Sequence, residues 1–173
     1  SWVALFLLTK DGLMKTIAQQ LNIKDFPFEI KDKNGDVIYF ESSEANWDKW
    51  EYDSNGNVIY FEGSNGFWSK REYDSDNNET YLEDSEGYWI KREYDSEGNQ
   101  TYYGDSYGFW NKCEYNSAGN TIFYEDSNKY WKKYEYDSEG NQIYYEDSDG
   151  KIIDNRPKEI IEVNGIKYQR IEP

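Results

Sequence analysis

Hydrophobic and polar positions alternate along this chain in short runs that turns interrupt at regular intervals. A typical run, VIYFE at residues 58–62, is rich in β-branched and aromatic residues, and a second run, FWSKREY, follows at residues 67–73. Runs of this length and composition are typical of β-strands. The pattern therefore predicts pairs of strands through the middle of the chain.

These runs recur with a period of 21 residues. The tryptophans of the repeat are Trp47, Trp68, Trp89, Trp110 and Trp131, and the same step links Gly35, Gly56, Gly98, Gly119 and Gly140, with Asn77 in the third place. The repeat spans roughly residues 29 to 153. A fixed period of this size predicts an array in which each copy is one supersecondary unit stacked on its neighbours.

Two turns are expected in each copy. Asn65-Gly66 between the strands predicts a two-residue type I′ hairpin turn, because both central residues of that turn need positive φ. The sequence DSNGN at residues 53–57 predicts a longer turn, in which Asp53 bonds its own downstream backbone and Gly56 takes the left-handed conformation. Every copy is therefore expected to fold back on itself twice.

The predicted type I′ turn assigns side chains to the two faces of the sheet. It places Trp68, Lys70 and Glu72 with Ile59 and Phe61, because side chains alternate along a strand. Neither face is then cleanly apolar, so neighbouring copies are expected to stabilise the aromatic ladders. The predicted fold is all-β, with tandem 21-residue β-hairpin repeats that form a twisted antiparallel ribbon or hairpin solenoid and a short N-terminal helix cap.

The two ends of the chain differ from the array, which predicts three regions at residues 1–28, 29–153 and 154–173. The first holds an apolar strand at residues 2–8 and a helix from Leu13 to Leu21, with Asp11 or Thr16 as its N-cap. The last holds a hairpin at residues 160–168. The apolar run is too short to span a bilayer, which needs about 20 residues. Because no signal peptide is evident, a cytoplasmic location is favoured.

Composition narrows the chemistry. The formal net charge of −16 argues against binding to nucleic acid or anionic membranes and favours cationic partners. The chain has no histidine and one cysteine, Cys113, which removes the commonest general base and a thiolate zinc site. We therefore predict no cofactor and no metal, and the absence of catalytic sequence motifs predicts a protein that is not an enzyme.

The recurring Glu-Tyr-Asp-Ser-x-Gly-Asn, at residues 93–99 and 135–141, resembles the YD repeats of RHS-type proteins. Those repeats build long β-sheet ribbons that coil into shells around toxins or serve at cell surfaces, so the resemblance implies a bacterial or phage β-ribbon. A looser similarity is to choline-binding and glucan-binding hairpin repeats, which also carry Trp and paired Tyr. It implies binding to polysaccharide or cell wall.

The favoured function is non-catalytic binding of a basic protein partner through an acidic, aromatic-striped β surface, as an inhibitor or nucleic-acid mimic of phage or mobile-element type. Two alternatives stay open: glycan binding through the Trp and Tyr ladders, and self-assembly into homo-oligomers through edge strands. A solvated acidic surface that prevents aggregation is the plainer explanation of the carboxylates. The candidate binding residues are Trp47, Trp68, Trp89, Trp110, Trp131, Lys70, Lys91, Glu72, Glu93, Glu83 and Asp84.

Overall fold

The computed structural model describes residues 15–157, 160–164 and 166–169. The strand predicted at residues 2–8 and the start of the predicted helix lie outside these residues. The chain divides into two compact units, Ser1–Arg92 and Glu93–Pro173, and the division falls within one strand. Each unit is described by itself below.

Both units consist of antiparallel strands that follow one another in chain order. The first unit contains α1 (Ile17–Leu21), β1 (Phe28–Lys31), β2 (Val37–Glu41), β3 (Trp47–Tyr52), β4 (Val58–Gly63), β5 (Trp68–Tyr73), β6 (Glu79–Asp84) and β7 (Trp89–Tyr94), the last of which runs into the second unit. The second unit continues with β8 (Gln100–Asp105), β9 (Trp110–Tyr115), β10 (Thr121–Asp126), β11 (Trp131–Tyr136), β12 (Gln142–Asp147), β13 (Ile152–Asp154), β14 (Ile160–Val163) and β15 (Ile166–Gln169). Within each unit, neighbours in the sheet are neighbours in the chain, and β14 with β15 forms a separate hairpin. The predicted all-β class and the C-terminal hairpin are confirmed.

All twelve turns between β1 and β13 close in the same way, and this corrects the predicted type I′ turn. In the turn at residues 63–67, the Gly63 N–H donates to the Phe67 carbonyl and the Gly66 N–H donates to the Gly63 carbonyl. Gly66 has a φ of 85°. This is a three-residue loop, a type I turn followed by a left-handed residue. The turn at Asp53 makes the same two bonds and places Gly56 at a φ of 88°.

We call the first residue of each turn the brace and the third residue the tip. The braces are Asp32, Ser42, Asp53, Gly63, Asp74, Asp84, Asp95, Asp105, Asn116, Asp126, Asp137 and Asp147. The tips are Asn34, Glu44, Asn55, Asn65, Asp76, Glu86, Glu97, Tyr107, Ala118, Asn128, Glu139 and Asp149. Brace residues alternate 10 and 11 residues apart, so the 21-residue copy consists of two similar halves.

The extra loop residue reverses the predicted grouping of side chains on the two faces. Glu62 lies directly opposite Trp68, and Tyr60 lies opposite Lys70. Trp68 therefore shares a face with Tyr60 and Glu62, not with Ile59 and Phe61. A slip of one residue in register moves the side chains of a strand to the other face relative to its partner.

Within each unit, the described residues bury few apolar side chains. Only Ala18 and Tyr39 are buried apolar residues there. Stability must therefore come from contacts along the sheet itself, such as the pair of Trp50 and Phe61, whose ring centroids lie 5.7 Å apart on adjacent strands. Cross-strand aromatic pairs of this kind each contribute roughly 0.2–1 kcal/mol.

The tyrosine of the Tyr-Asp signature ties the end of its own strand to the strand before it, as at Tyr52, Tyr73, Tyr115 and Tyr136. The Tyr52 hydroxyl donates to the Val37 carbonyl at 3.0 Å, and Tyr73 makes the equivalent bond to Val58 at 3.3 Å. The aspartate that follows the tyrosine is the brace of the next turn. The signature thus combines a strand-end bond with a turn bond, which explains its recurrence in physical terms.

Helix α1 is held on the sheet by Glu41 of β2, which is fully buried. Its carboxylate accepts bonds from the Thr16 hydroxyl, the Ala18 N–H and the Tyr39 hydroxyl. Thr16 is the N-cap and forms a capping box with Gln19, so Thr16 is confirmed as the cap. Burial and the contact with Glu41 raise the pKa of Tyr39.

Candidate binding surfaces

One face of the sheet carries the predicted Trp, Lys and Glu ladders, and we call it the Trp–Lys face. In the first unit, this face consists of the side chains on the same side of the sheet as Trp68, Lys70 and Glu72 of β5. In the second unit, it consists of the side chains on the same side as Trp110, Lys112 and Glu114 of β9. The corrected register adds the Tyr and Glu of the preceding strand to this face. The face is therefore mixed in charge as well as aromatic.

Lysines on the Trp–Lys face lie between a ring and a carboxylate. Lys70 lies opposite Tyr60 on β4 and opposite Glu83 on β6. The equivalent Lys49 has its Nζ 5.3 Å from the Tyr60 ring centroid and 3.2 Å from the Glu51 carboxylate. Positive and negative groups thus alternate across the strands, and the face does not present a row of carboxylates alone.

The tryptophan rings are half-buried by their own neighbours. The Lys70 Nζ lies 5.1 Å from the Trp68 ring centroid, and the Lys112 Nζ lies 5.7 Å from that of Trp110. Trp89 is the most exposed of the five, with 37% of its surface accessible. A lysine over the ring face occupies the position that a stacked sugar needs.

Tyrosine hydroxyls on the Trp–Lys face donate to carboxylates two residues on. Tyr60 donates to Glu62 at 3.1 Å, and Tyr81 donates to Glu83 at 2.9 Å. The pKa of Tyr60 is raised mainly by burial, and also by the charge of Glu62 and the hydrogen bond to it. For Tyr81, the hydrogen bond to Glu83 is the largest cause of its raised pKa. Each phenol is therefore stabilised in its neutral form.

Carboxylates at the turns have an internal structural role. Asp53 accepts bonds from the backbone N–H groups of Asn55 and Asn57 and from the side-chain amide of Asn57. These bonds, with the side chain of Asn57 as the largest cause, lower the pKa of Asp53. The expectation that the turn aspartate bonds its downstream backbone is confirmed. Much of the periodic acidity is thus turn architecture, which weakens the case for a nucleic-acid mimic.

The structure brings the predicted binding residues to one face of the sheet, apart from Asp84. In the first unit, Trp47, Trp68, Trp89, Lys70, Lys91, Glu72 and Glu83 lie on the Trp–Lys face. In the second unit, Trp110 and Trp131 do so. Asp84 is a brace and lies opposite Ser69 on the other face. Glu93 follows Lys91 by two residues on β7 and lies on the same side of that strand, just after the division between the units.

Tyr107 is a candidate residue that the sequence analysis missed. It is the tip of the turn between β8 and β9, and 85% of its surface is accessible. Equivalent tips in other copies are polar, namely Glu44, Asn65, Glu86, Asn128 and Asp149. The substitution within the repeat was visible in the sequence, but only the turn geometry shows that this position points away from the sheet.

The same copy has lost a carboxylate on the Trp–Lys face. Gly104 stands where other copies have Glu62, Glu83, Glu125 and Glu146. A Cβ atom at Gly104 would lie 2.6 Å from the Tyr102 hydroxyl, so the tyrosine ring occupies the space of the missing side chain. Gly104 lies opposite Trp110. An aromatic patch therefore replaces the Tyr–Glu pair in this copy.

The described residues also bear on metal binding, thiol chemistry and membrane crossing. In that part of the chain, no group of three or more His, Cys, Asp or Glu side chains is arranged to hold a metal ion. Cys113 is a half-buried free thiol beside Tyr115. Burial, and then the contact with this thiol, raise the pKa of Tyr115 to about 12. No helix within the described ranges is both long and apolar enough to cross a membrane.

No protein-family model matches the chain, and no curated protein matches it. Among solved structures, it is similar to the crystal structure of TcdB2-TccC3, at 14% identity and a TM-score of 0.48, over 68% of this chain and 7% of that chain. It is also similar to the crystal structure of TcdB2-TccC3-Cdc42, at 14% identity and a TM-score of 0.49, over 81% of this chain and 8% of that chain. The chain spans less than a tenth of the length of these two structures.

Proposed function

We propose that this chain is a non-catalytic repeat protein that binds a basic protein partner, with Tyr107 as the anchor of the contact. The observation that carries the proposal is the exposure of Tyr107, which is 85% accessible on a turn whose equivalents carry polar tips. The fold does not require a ring at this position, because the other turns close without one. Exposed aromatic anchors dominate the binding energy of many protein interfaces.

The turn that carries Tyr107 is held by side-chain as well as backbone hydrogen bonds, and this favours binding. The Asp105 carboxylate accepts bonds from the backbone N–H groups of Tyr107 at 2.9 Å and Phe109 at 3.2 Å, and from the Tyr103 hydroxyl at 3.3 Å. Asp105 itself is nearly buried. An anchor held in place before binding loses little conformational freedom when a partner docks.

A basic partner is favoured by the acids that remain exposed at the tips. Half of the twelve tips are acidic, and these tips are exposed, namely Glu44, Asp76, Glu86, Glu97, Glu139 and Asp149. The carboxylates of these acidic tips are not needed to close the turn, because the tips bond the brace through their backbone N–H groups. The chain as a whole has a formal net charge of −16. The acidic tips therefore attract cationic surfaces over about one Debye length, roughly 8 Å at physiological salt.

Glycan binding is the weaker alternative. Stacking on sugars needs an open ring face, whereas lysine ammonium groups lie over Trp68 and Trp110. The rings are also half-buried, apart from Trp89. These contacts favour a structural role for the tryptophan ladder and leave the turn tips as the better binding surface.

A comparison of baits tests the proposal. Immobilised wild-type chain is exposed to lysate at low and high salt, beside Tyr107→Asn, Tyr107→Phe and the control Asn128→Ala, which alters the equivalent tip of the next copy. We expect one basic protein to bind the wild type and to be released by salt. Tyr107→Asn should lose it, whereas Tyr107→Phe and Asn128→Ala should retain most of it.

Two outcomes would contradict the proposal. Capture of no protein at either salt concentration would remove protein binding. Equal capture by the wild type and Tyr107→Asn would show that the contact lies away from the turn between β8 and β9. Circular dichroism of each bait checks that the substitutions leave the sheet folded.

A further inference from the structure

The outermost strands of the two units, β1 and β13, have edges of opposite character. The β1 strand follows Pro27 and carries Glu29 and Lys31, whose charged groups lie 3.6 Å apart. Proline and charged side chains are the usual means by which an edge strand is kept from pairing with other molecules. Strand β13 carries Ile152 and Ile153 instead, with 59% and 40% of their surfaces accessible.

Strand β13 has a neighbour on one side only among the described residues. It pairs antiparallel with β12, with Ile152 opposite Glu146 and Ile153 opposite Tyr145. In the repeat, Ile152 takes the place of Trp131, whose strand β11 is paired on both sides. The edge of β13 is therefore a position at which the array elsewhere adds a further strand.

The chain leaves β13 without forming the turn that would supply that strand. The Asn155 N–H donates back to the Ile143 carbonyl. The Arg156 guanidinium bonds Asp154 and Glu135 and lies 4.2 Å from the Tyr144 ring centroid. Tyr144 lies opposite both Glu135 and Asp154, so these contacts hold Arg156 on the Trp–Lys face. Pro157 follows and has no N–H to donate to a ladder.

We propose that the β13 edge pairs with the same edge of a second molecule of this chain. A two-fold axis perpendicular to the sheet makes such a pair antiparallel and keeps each face on its own side. Centred on Ile153, the register brings the two Ile153 side chains together on one face and places Ile152 opposite Asp154 of the second molecule. Lys151 then meets Asn155, so no two like charges are directly opposed.

The proposed contact is short, so the dimer is expected to be weak and to respond to salt. Each molecule contributes three strand residues, and the two molecules repel each other through net charges of −16. Salt screens this repulsion. Dimerisation should therefore strengthen with salt, whereas the basic-partner contact proposed above should weaken.

Sedimentation velocity over a range of concentrations tests the proposal. The wild type should shift from monomer to dimer as concentration rises, and more readily at high salt. Ile153→Lys should raise the dimer dissociation constant by about tenfold or more. The matched control, Ile166→Lys, changes an isoleucine of β15 that is 57% accessible and should leave the dissociation constant unchanged.

Hydrogen exchange of the wild type gives a second readout that needs no variant. The Ile153 amide faces β12 and is protected in the monomer, whereas the Ile152 and Asp154 amides should become protected only at concentrations where the dimer forms. A monomer at every concentration would overturn the proposal, as would a dimer that Ile153→Lys leaves intact. Protection of the Ile152 and Asp154 amides in the monomer would show that another part of the same chain covers the edge, and would also overturn it.

Discussion

The repeat copies at residues 79–99 and 100–120 build the same hairpin but present different surfaces. The third copy holds two basic and seven acidic residues, a net charge of −5, whereas the fourth holds one basic and two acidic residues, a net charge of −1. The third has Glu83 and Glu86 where the fourth has Gly104 and Tyr107. Both copies keep an aspartate brace, Asp84 or Asp105, with the same turn bonds.

This difference separates what the fold needs from what it tolerates. The brace and the left-handed residue recur because each turn depends on their bonds and backbone conformation. Tips and the glutamates of the Trp–Lys face vary because the sheet forms without them. Departures from the repeat at variable positions are therefore the best places to test the proposed binding.

The largest expected effect acts on all copies at once, through the tyrosines. Contacts with carboxylates and burial raise the pKa of Tyr60, Tyr81 and Tyr144 above 10.0 in the fold. A tyrosine in the unfolded chain ionises at lower pH than the same tyrosine in the fold. The contribution of these tyrosines to stability is therefore complete below pH 10 and declines as the pH rises through their folded-state pKa values. We expect cooperative alkaline unfolding above pH 10, followed by circular dichroism and phenolate absorbance. Titration of all phenols near pH 10 with the fold intact would contradict this.

Removal of the braces tests what the two copies share. Asp84→Ala and Asp105→Ala should each lower the free energy of unfolding by about 1–3 kcal/mol, because backbone N–H groups at the turn lose their acceptor. Urea denaturation measures both. A clearly smaller loss for Asp105→Ala would mean that the fourth copy no longer depends on the common turn.

Restoring the repeat residue in the fourth copy should give a smaller effect of opposite sign. Gly104→Glu removes a glycine from a strand and lets Tyr102 bond the new carboxylate as Tyr81 bonds Glu83, so stability should rise by about 0.5–1 kcal/mol. The control Gly104→Ala supplies the Cβ that meets the Tyr102 hydroxyl but no acceptor. It should be less stable than Gly104→Glu in thermal denaturation, and the reverse order would contradict the comparison.

The smallest effect on stability is expected at Tyr107. Tyr107→Asn gives the fourth copy the tip of other copies, and the side chain is 85% accessible, so the free energy of unfolding should change by less than about 0.5 kcal/mol. Urea denaturation checks this beside Asn128→Tyr, which adds a ring to the next copy. A larger loss for Tyr107→Asn would mean that the ring supports the fold.

The sequence was sufficient to predict the strands, their order and the role of Asp53, because each depends on local pattern and spacing. The grouping of faces around Trp68 was wrong. Asn65-Gly66 is typical of a two-residue turn, but here Gly63 and Phe67 close a three-residue loop and Asn65 does not take positive φ. One residue in a loop decides which face a whole strand presents, and loop length is set by the competition between similar turns.

The candidate site was predicted only in part. Spacing along β5 places Trp68 and Lys70 on one face, but the position of the Lys70 ammonium over the indole ring depends on side-chain conformations that spacing does not fix. Tyr107 was overlooked because the sequence analysis emphasised positions that recur. Its exposure depends on where the turn tip points.

The common closure of all twelve turns also bears on how the gene can change. When 21 residues are deleted or duplicated, the strands at the junction are joined by the same kind of turn as before. Every side chain then stays on the face that it occupied. Unequal recombination between copies can therefore lengthen or shorten the array in single steps without passing through a misfolded product. Array length can then change under selection while the hairpin itself stays the same.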